Sequence, residues 1–572
     1  MKKSSKKIYF IISFSLIIFL GIAVVSYRMF FIPKEDAITY VLQAREANLY
    51  FDYKKADSFY RYAVRADSSN PNILEEYMLF SVLQRDEKKA RQLATKVLKY
   101  NPSHFLANLI ITTFTVKDNN LEKALDHLVV LKPEPDSLND ILFSILLSIK
   151  YYQEGNMRNF EDALAPIKVS LPELYYYEIF HLALLKGNNN VAKAALLTLN
   201  KQYMSIDTIT LYSALLLKEE HEPQAMENFK LYLDDHFLEE SKIKEYLANV
   251  NTSQDLDTLL STIVYKLSSL MSAKVNPIYN SSDEVALLNI ALMLNNNNQM
   301  ARLGVANFYE RIGDYNSAIS MYNAVPQNSY YARLAYPQVI EILKSLNKDK
   351  DAITQVDKYL KADPTNARLL LERGHLYHKE KQYKKAIESY TQALASSQKY
   401  NYTLGIWLSY YFRGVSNDKQ GNWEAAEKDL LAAKSIDATD PLLVNYLAYS
   451  WITRGINVKE ALTMLRNSLK NNPKQANLLD SYSWGLFKTG KYKQALTYTT
   501  KASKIMPYDP TIIDHYGDIL WKNGYKKEAE GQWKIAANLD STGILPKITD
   551  KINGKLPSYL NTKPKPKILK KH

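Results

Sequence analysis

Apolar and small residues recur along most of the chain at helical spacing, and an alanine-centred pattern recurs with them. Ala56, Ala90 and Ala124 are each 34 residues apart. A second series of alanines, with gaps of 34, 34, 40, 35, 34 and 34 residues, occupies Ala318, Ala352, Ala386, Ala426, Ala461, Ala495 and Ala529. This near-constant period predicts pairs of helices that stack on their neighbours, because one pair cannot bury its apolar face alone.

Local signals within residues 475–539 predict where the helices of each pair begin and end. Gly490 and Gly524 stand at the expected end of the first helix, where a residue without a Cβ atom takes the left-handed conformation most easily. Ala495 is small because the second helix packs closely against the first. Pro510 suits the first turn of the following helix.

These patterns predict an all-α fold, an α–α superhelix of stacked helix pairs preceded by one N-terminal transmembrane helix. They divide the chain into a cytoplasmic basic stub (1–7), a transmembrane anchor (8–27), N-terminal repeats (37–132), degenerate helical repeats (133–235), an irregular helical segment (236–298), a C-terminal array of about seven repeats (299–540) and a basic tail rich in proline and lysine (541–572). From residue 556 onward no apolar period survives, which predicts disorder.

The N-terminus carries the pattern of a membrane anchor. Four lysines within residues 1–7 precede residues 8–26, which contain no charged side chain. That length spans a bilayer as a helix, and the lysines favour a cytoplasmic N-terminus. The repeats would then lie in the periplasm of a Gram-negative cell. A cleaved signal peptide is the alternative, with a small-x-small site at residues 21–23.

Composition excludes several classes of function. The chain has no cysteine, which excludes disulfides, cysteine zinc sites, thiol catalysis and a cysteine-linked lipid anchor. The net charge of +13 is compatible with acidic partners, although much of it lies in the two tails. Basic residues are spread among acidic residues along the repeats without a basic stripe, and this pattern argues against nucleic acid as a partner.

Two histidine patterns are candidates for metal sites. His221-Glu222 begins a zinc-protease motif, but Ala225 stands where the second histidine ligand is required. His375 and His378 lie three residues apart on one predicted helix, and this spacing is more typical of repeat surface residues than of a metal site. The sequence therefore predicts no enzyme activity, no cofactor and no metal.

The residues of the repeats resemble the tetratricopeptide repeat superfamily over most of the chain. Residues 445–539 are more narrowly similar to a proteobacterial envelope group, through the segments 445–449, 480–484 and 514–518 and through Trp521. Some members of that group are outer-membrane lipoproteins that serve as adaptors for a periplasmic carboxyl-terminal processing protease. This chain departs from them, because it has no cysteine to carry a lipid and has Ser483 in place of the usual glycine.

The resemblance implies a binding groove on the concave face of the first helices. Positions 2, 5, 9 and 12 of the first helix face this groove in the superfamily. The residues at positions 5, 9 and 12 of the last repeats are Asn445, Tyr449, Asp480, Trp484, Phe487, Asp514, Asp518 and Trp521. Exposed aromatic side chains beside hydrogen-bonding groups favour peptide capture, and a concave aromatic is expected to keep one face open to water. The alternative is that the tryptophans are packing residues. The aspartates argue against a clamp for a peptide carboxylate.

The sequence thus predicts a membrane-anchored scaffold or adaptor for protein–protein interactions in the bacterial cell envelope. Its partners would be other proteins, and the resemblance implies a periplasmic protease or its substrates. It would lie in the inner membrane with one span and with its repeats in the periplasm. A cytoplasmic-facing adaptor or secretion-assembly component is the alternative, and an unrecognised enzymatic site within residues 237–298 is a third hypothesis.

Overall fold

The computed structural model describes residues 36–129, 138–198, 206–219, 221–232, 240–250, 252, 255–273, 281–327 and 329–561. Every regular element in these ranges is a helix, which confirms the predicted all-α class. The chain forms two compact units, which are residues 1–235 with 240–346 (unit 1) and residues 236–239 with 347–572 (unit 2).

Unit 1 is built from helices joined mostly by short turns. Those in its described residues are α1 (Ala37–Leu49), α2 (Tyr53–Ala66), α3 (Pro71–Leu83), α4 (Glu87–Tyr100), α5 (Phe105–Lys117), α6 (Leu121–Val129), α7 (Leu138–Glu154), α8 (Met157–Ser170), α9 (Pro172–Leu185), α10 (Asn189–Thr198), α11 (Ile206–Lys218), α12 (Glu222–Tyr232), α13 (Glu240–Ala248), α14 (Leu256–Ala273), α15 (Ser281–Leu294), α16 (Gln299–Arg311), α17 (Tyr315–Asn323) and α18 (Ala332–Ser345).

Side-chain caps begin several of these helices. Asp52 accepts a hydrogen bond from the backbone N–H of Lys55, and Asp86 accepts one from the backbone N–H of Lys89. Asn70 caps α3 in the same way. Each cap satisfies a backbone donor that has no partner inside its helix.

The periodic alanines of unit 1 lie where the sequence places them. Ala56, Ala90, Ala124 and Ala318 are 0 % exposed, and they lie on α2, α4, α6 and α17. Each of these is the second helix of a pair packed against the helix before it. The predicted register of the pairs is therefore confirmed at these positions.

The first helices of unit 1 also contact helices late in the same unit. α3 and α5 both pack against α15, and α5 contacts α14. Lys117 Nζ, at the end of α5, donates a hydrogen bond to the Met293 carbonyl at 2.9 Å. The Tyr53 hydroxyl donates to the Asp314 carboxylate. Because the repeats of an open array contact only their neighbours, these contacts close unit 1 on itself.

Unit 2 continues the helix pairs to residue 539 and then adds two short helices. The helices in its described residues are α19 (Asp349–Ala362), α20 (Ala367–Lys379), α21 (Tyr383–Lys399), α22 (Thr403–Lys419), α23 (Trp423–Ile436), α24 (Pro441–Arg454), α25 (Val458–Asn471), α26 (Ala476–Lys488), α27 (Tyr492–Ile505), α28 (Pro510–Lys522), α29 (Lys526–Leu539), α30 (Ile548–Ile552) and α31 (Ser558–Asn561).

The turn and contact signals of the last repeats are confirmed. Gly490 and Gly524 have φ angles of 76° and 92°, in the left-handed region expected after a first helix. Pro510 stands in the first turn of α28. Ala495 and Ala529 are 0 % exposed. These positions fix the orientation of α26 and α28, whose side chains form the predicted groove.

Residues 541–561 differ from the predicted patternless tail. α30 packs against α29, and α31 contacts α28. Lys551 and Leu560 are both buried. Helices of five and four residues are too short to show an apolar period, so the sequence pattern does not reveal them.

The predicted basic stub (1–7) and anchor (8–27) lie outside the described residues, as does the end of the tail (562–572). Among the helices that are described, none combines the length and apolar character needed to cross a membrane.

Candidate protein-binding groove

The eight predicted groove residues lie on three first helices of unit 2, which are α24, α26 and α28. α24 packs against α26, and α26 packs against α28. Equivalent positions of successive repeats therefore come side by side, as the period predicts. Asn445, Asp480 and Asp514 form one such row across the three helices.

Burial divides these residues into two groups. Asp480, Trp484, Phe487 and Asp518 are buried, with Trp484 only 6 % exposed. The other four residues are half-buried, and they are Asn445, Tyr449, Asp514 and Trp521. The expectation that Trp484 keeps a face open to water is therefore wrong for the free chain, because the rings of Phe487 and His515 stack on its indole.

Polar contacts join each row residue to the following repeat. The Ser481 hydroxyl on α26 donates to Asn445 Oδ1 on α24 at 2.7 Å. The next contact in the row is between Asp480 Oδ2 and His515 Nδ1 on α28, at 2.8 Å. Hydrogen bonds between partly buried groups are costly to leave unmade. These contacts therefore fix the side-by-side placement of the first helices.

The pair formed by Asp480 and His515 lies against the ring of Trp484. The His515 ring stacks on the Trp484 indole, with centroids 4.1 Å apart and planes 14° apart. Burial opposes a charge on the imidazole, but Asp480, together with Asp514 and Asp518, raises the pKa of His515 above its usual value. Asp480 Oδ1 has no hydrogen-bond partner among the described residues, so this carboxylate depends on His515.

The last contact of the row comes from the C-terminal segment. Lys551 Nζ on α30 lies 2.7 Å from Asp514 Oδ1 and 2.7 Å from Asp518 Oδ1. Asp518 also accepts a hydrogen bond from Trp533 Nε1 at 2.9 Å. Burial raises the pKa of the Asp518 carboxyl, and the Lys551 ammonium opposes that rise. One lysine thus neutralises part of a pair of carboxylates in the groove.

Tyr559 on α31 fills the space between α26 and α28. Its hydroxyl donates to Asp518 Oδ2 at 2.8 Å. Its ring lies perpendicular to the rings of Trp484 and Phe487, and its centroid lies 6.2 and 6.1 Å from theirs. Lys488 Nζ lies 5.1 Å from the centroid of the same ring. The chain therefore places its own tyrosine among four residues of α26 and α28.

Two predicted features lie apart from this cluster. The Trp521 ring packs against Trp533 of its own repeat, with centroids 5.4 Å apart. His378 Nδ1 lies 2.8 Å from the Ser416 hydroxyl, and His375 packs on Phe412. Both histidines therefore contact the next repeat. The described residues hold no group of three or more His, Cys, Asp or Glu side chains arranged for a metal ion.

Sequence reasoning missed four residues that complete the groove: Ser481, His515, Lys551 and Tyr559. Repeat spacing could have indicated Lys551, which follows Asp518 by 33 residues, close to one period. Tyr559 gave no such signal, because its segment turns back along the array.

Comparisons with known proteins agree with the helical repeats. A family profile described as "Tetratricopeptide repeat" matches residues 323–538. The chicken (Gallus gallus) protein DnaJ homolog subfamily C member 3 is 34 % identical over 92 residues, which are 15 % of this chain. The chain spans only 18 % of the length of that relative.

The solved structures that match this chain share little sequence with it. The Cut9–Hcn1 crystal structure has a TM-score of 0.36 at 17 % identity and covers 94 % of this chain and 99 % of its own. The yeast Tom70 structure has a TM-score of 0.33 at 14 % identity, and the match covers 91 % of this chain and 95 % of the Tom70 chain. A tetratricopeptide repeat protein from Parabacteroides merdae has a TM-score of 0.37 at 18 % identity, and the match covers 45 % of this chain and 99 % of that protein's chain. Over residues 323–538, the chain is therefore similar to the tetratricopeptide repeat family.

Proposed function

We propose that this protein is a membrane-anchored tetratricopeptide repeat scaffold that holds other proteins in the bacterial cell envelope. The observation that supports this proposal best is the occupied groove. The aromatic and acidic side chains of α26 and α28 already surround a short peptide segment, residues 558–561. A surface that holds one segment of this kind offers aromatic anchors and charge to another.

The membrane part of the proposal rests on the sequence. Residues 8–26 contain no charge and follow four lysines, as expected of a helix that crosses the inner membrane with its N-terminus in the cytoplasm. The repeats would then face the periplasm. The resemblance of residues 445–539 to envelope adaptors suggests a periplasmic protease or its substrates as partners.

The alternative is a cytoplasmic-facing adaptor or secretion-assembly component with the opposite orientation. Alkaline phosphatase fused after His572 separates the two, because that reporter becomes active only in an oxidising compartment. We expect an active fusion. A stable but inactive fusion would show that the repeats face the cytoplasm.

Partner binding can be tested by photo-crosslinking in cells. A crosslinking amino acid at Lys488, beside the groove, should capture a protein that mass spectrometry identifies from the membrane fraction. The control position is Tyr508, which is 82 % exposed on the turn between α27 and α28. Capture of the same proteins at both positions, or of none at Lys488, would contradict a groove-based scaffold.

A further inference from the structure

Residues 541–561 contact the repeats of unit 2 in two different ways. α30 stands about one repeat period after α28, and its Lys551 supplies the contact that the first helix of a further repeat would supply. This helix caps the array, because the exposed end of a repeat array must be covered. The residues that follow α30 do not continue the array. They turn back and contact α26 and α28.

The return begins at a tight turn. Gly554 has a φ angle of 79°, and the backbone N–H of Lys555 donates to the Asp550 carbonyl at 2.8 Å. The chain then reaches α31, a single helical turn. Tyr559 from this turn touches side chains on two first helices, while Leu560 is 4 % exposed in the same apolar cluster.

The contacts of Tyr559 define a specific pocket. Asp518 accepts a hydrogen bond from the phenol hydroxyl, the tyrosine ring lies perpendicular to the rings of Trp484 and Phe487, and the Lys488 ammonium lies near its face. A phenylalanine would keep the ring contacts and lose the hydrogen bond to a buried carboxylate. The pocket is therefore suited to tyrosine, with an aliphatic residue next to it.

Two cations face the acidic charge of the pocket. Asp514 and Asp518 both lie against Lys551, and the Lys488 ammonium lies 5.1 Å from the centroid of the Tyr559 ring. Selectivity in this pocket therefore rests on the tyrosine hydroxyl and on the apolar contacts of its ring and of the neighbouring leucine.

We propose that this pocket is a docking site for a tyrosine–leucine-type segment of a partner protein, and that residues 555–561 occupy it in the free chain. This inference rests on the proposed scaffold function and specifies its partner. A single turn held by one tyrosine and one leucine is a weak ligand. Tethering compensates for this, because it gives the segment a millimolar-range effective concentration. A partner segment must therefore compete with residues 555–561.

The test uses the full chain and a fluorescein-labelled peptide with the sequence of residues 553–562. Wild-type protein should bind the peptide weakly. Tyr559→Ala should bind it at least about tenfold more tightly, because the tethered competitor has lost its anchor. Ser558→Ala is the matched control, since Ser558 is exposed on the same turn, and it should behave as wild type. A peptide with phenylalanine in place of tyrosine should bind about tenfold more weakly, because a buried carboxylate loses its donor.

Several outcomes would overturn the inference. Equal peptide binding by wild type, Tyr559→Ala and Ser558→Ala would show that loss of the Tyr559 ring does not free the pocket for the peptide. A wild-type dimer that Tyr559→Ala converts to monomer in light scattering would identify the occupant as a second copy of the chain. If Tyr559→Ala unfolds, hydrogen exchange of the wild type shows whether residues 558–561 leave the pocket. Amides of residues 558–561 should exchange well before those of α29, and equally slow exchange would make the segment a fixed part of the fold.

The inference and the scaffold proposal can fail separately. Partner capture from position 488 that Tyr559→Ala does not increase, together with no peptide binding, would leave the scaffold proposal standing and remove this pocket as its site.

Discussion

At the scale of single residues, the groove of unit 2 is held by charged groups that lack access to water. His515 is buried against Asp480 and Trp484, and Lys551 is buried against Asp514 and Asp518. Removing one member of such a pair leaves the other charge buried without its partner, which is strongly destabilising. Asp480, Asp514 and Asp518, which the sequence predicts to face a binding groove, therefore make structural contacts with neighbouring helices.

The His515 pair predicts a pH-dependent stability. The pKa of His515 is raised in the folded chain, so its stabilising contribution is fully present below the unfolded pKa of about 6.5. The contribution is lost as pH rises through the higher folded pKa. His515→Gln should therefore lower the unfolding free energy by about 2 kcal/mol or more at pH 6 and by less at pH 9. Chemical denaturation of both proteins across this range measures the difference, and a difference independent of pH would contradict the prediction.

Glu178 in unit 1 predicts a second pH effect. Its carboxyl is fully buried, and burial raises its pKa to about 8. The Ser148 hydroxyl lies 2.5 Å from Glu178 and 2.7 Å from the Ile145 carbonyl, and its single proton cannot serve both acceptors. A protonated Glu178 that donates to Ser148 resolves this conflict.

The folded chain therefore holds a proton at Glu178 that the unfolded chain loses near its usual pKa. Stability from this group should fall by roughly 1.4 kcal/mol per pH unit as pH rises toward 8. Glu178→Gln should flatten that part of the pH profile, and Glu161→Gln on the exposed face of α8 should leave it unchanged. Equal profiles for wild type and Glu178→Gln would show that the buried group does not titrate in this range.

At the scale of helices, the alanine period identifies which helix of each pair packs closely on the other. Ala495→Trp places a large side chain in the contact between α27 and α26, where Ala495 is 0 % exposed. Overpacking of this kind costs roughly 1–3 kcal/mol. Gln494→Trp is the control, because Gln494 is exposed on the same helix. Thermal melting of both variants measures the effect, and equal melting temperatures would mean that the assigned register is wrong.

The same scale shows how far the sequence predicts this structure. Helix pairs with Gly490, Ala495 and Pro510 follow from periodic positions, because close packing and chain reversal restrict those residue types. The groove contacts do not follow in the same way. The partner of Asp480 comes from the neighbouring repeat, and the partners of Asp518 come from its own repeat and the C-terminal segment. Only the stacked structure brings these side chains together.

At the scale of a whole unit, closure distinguishes unit 1 from an open stack of repeats. α3 and α5 contact α14 and α15, which lie more than 100 residues later in the chain. In an open array each repeat depends on its neighbours only, and stability is a sum of nearest-neighbour terms. Contacts between early and late helices add a stabilising term that this sum does not contain. A destabilising substitution in the early helices of unit 1 should therefore also destabilise its late helices.

Lys117 offers the sharpest test of this closure. Its ammonium donates to the Met293 carbonyl at 2.9 Å and pairs with Glu87 at 2.9 Å. Lys117→Met keeps much of the aliphatic stem and removes both contacts, so we expect a loss of about 1 kcal/mol. Amides of α15 should exchange faster with solvent, although α15 is distant in sequence. Lys96→Met, at an exposed position on α4, should leave that exchange unchanged. Faster exchange confined to α4 and α5 in Lys117→Met would mean that the early and late helices of unit 1 are not coupled through this contact.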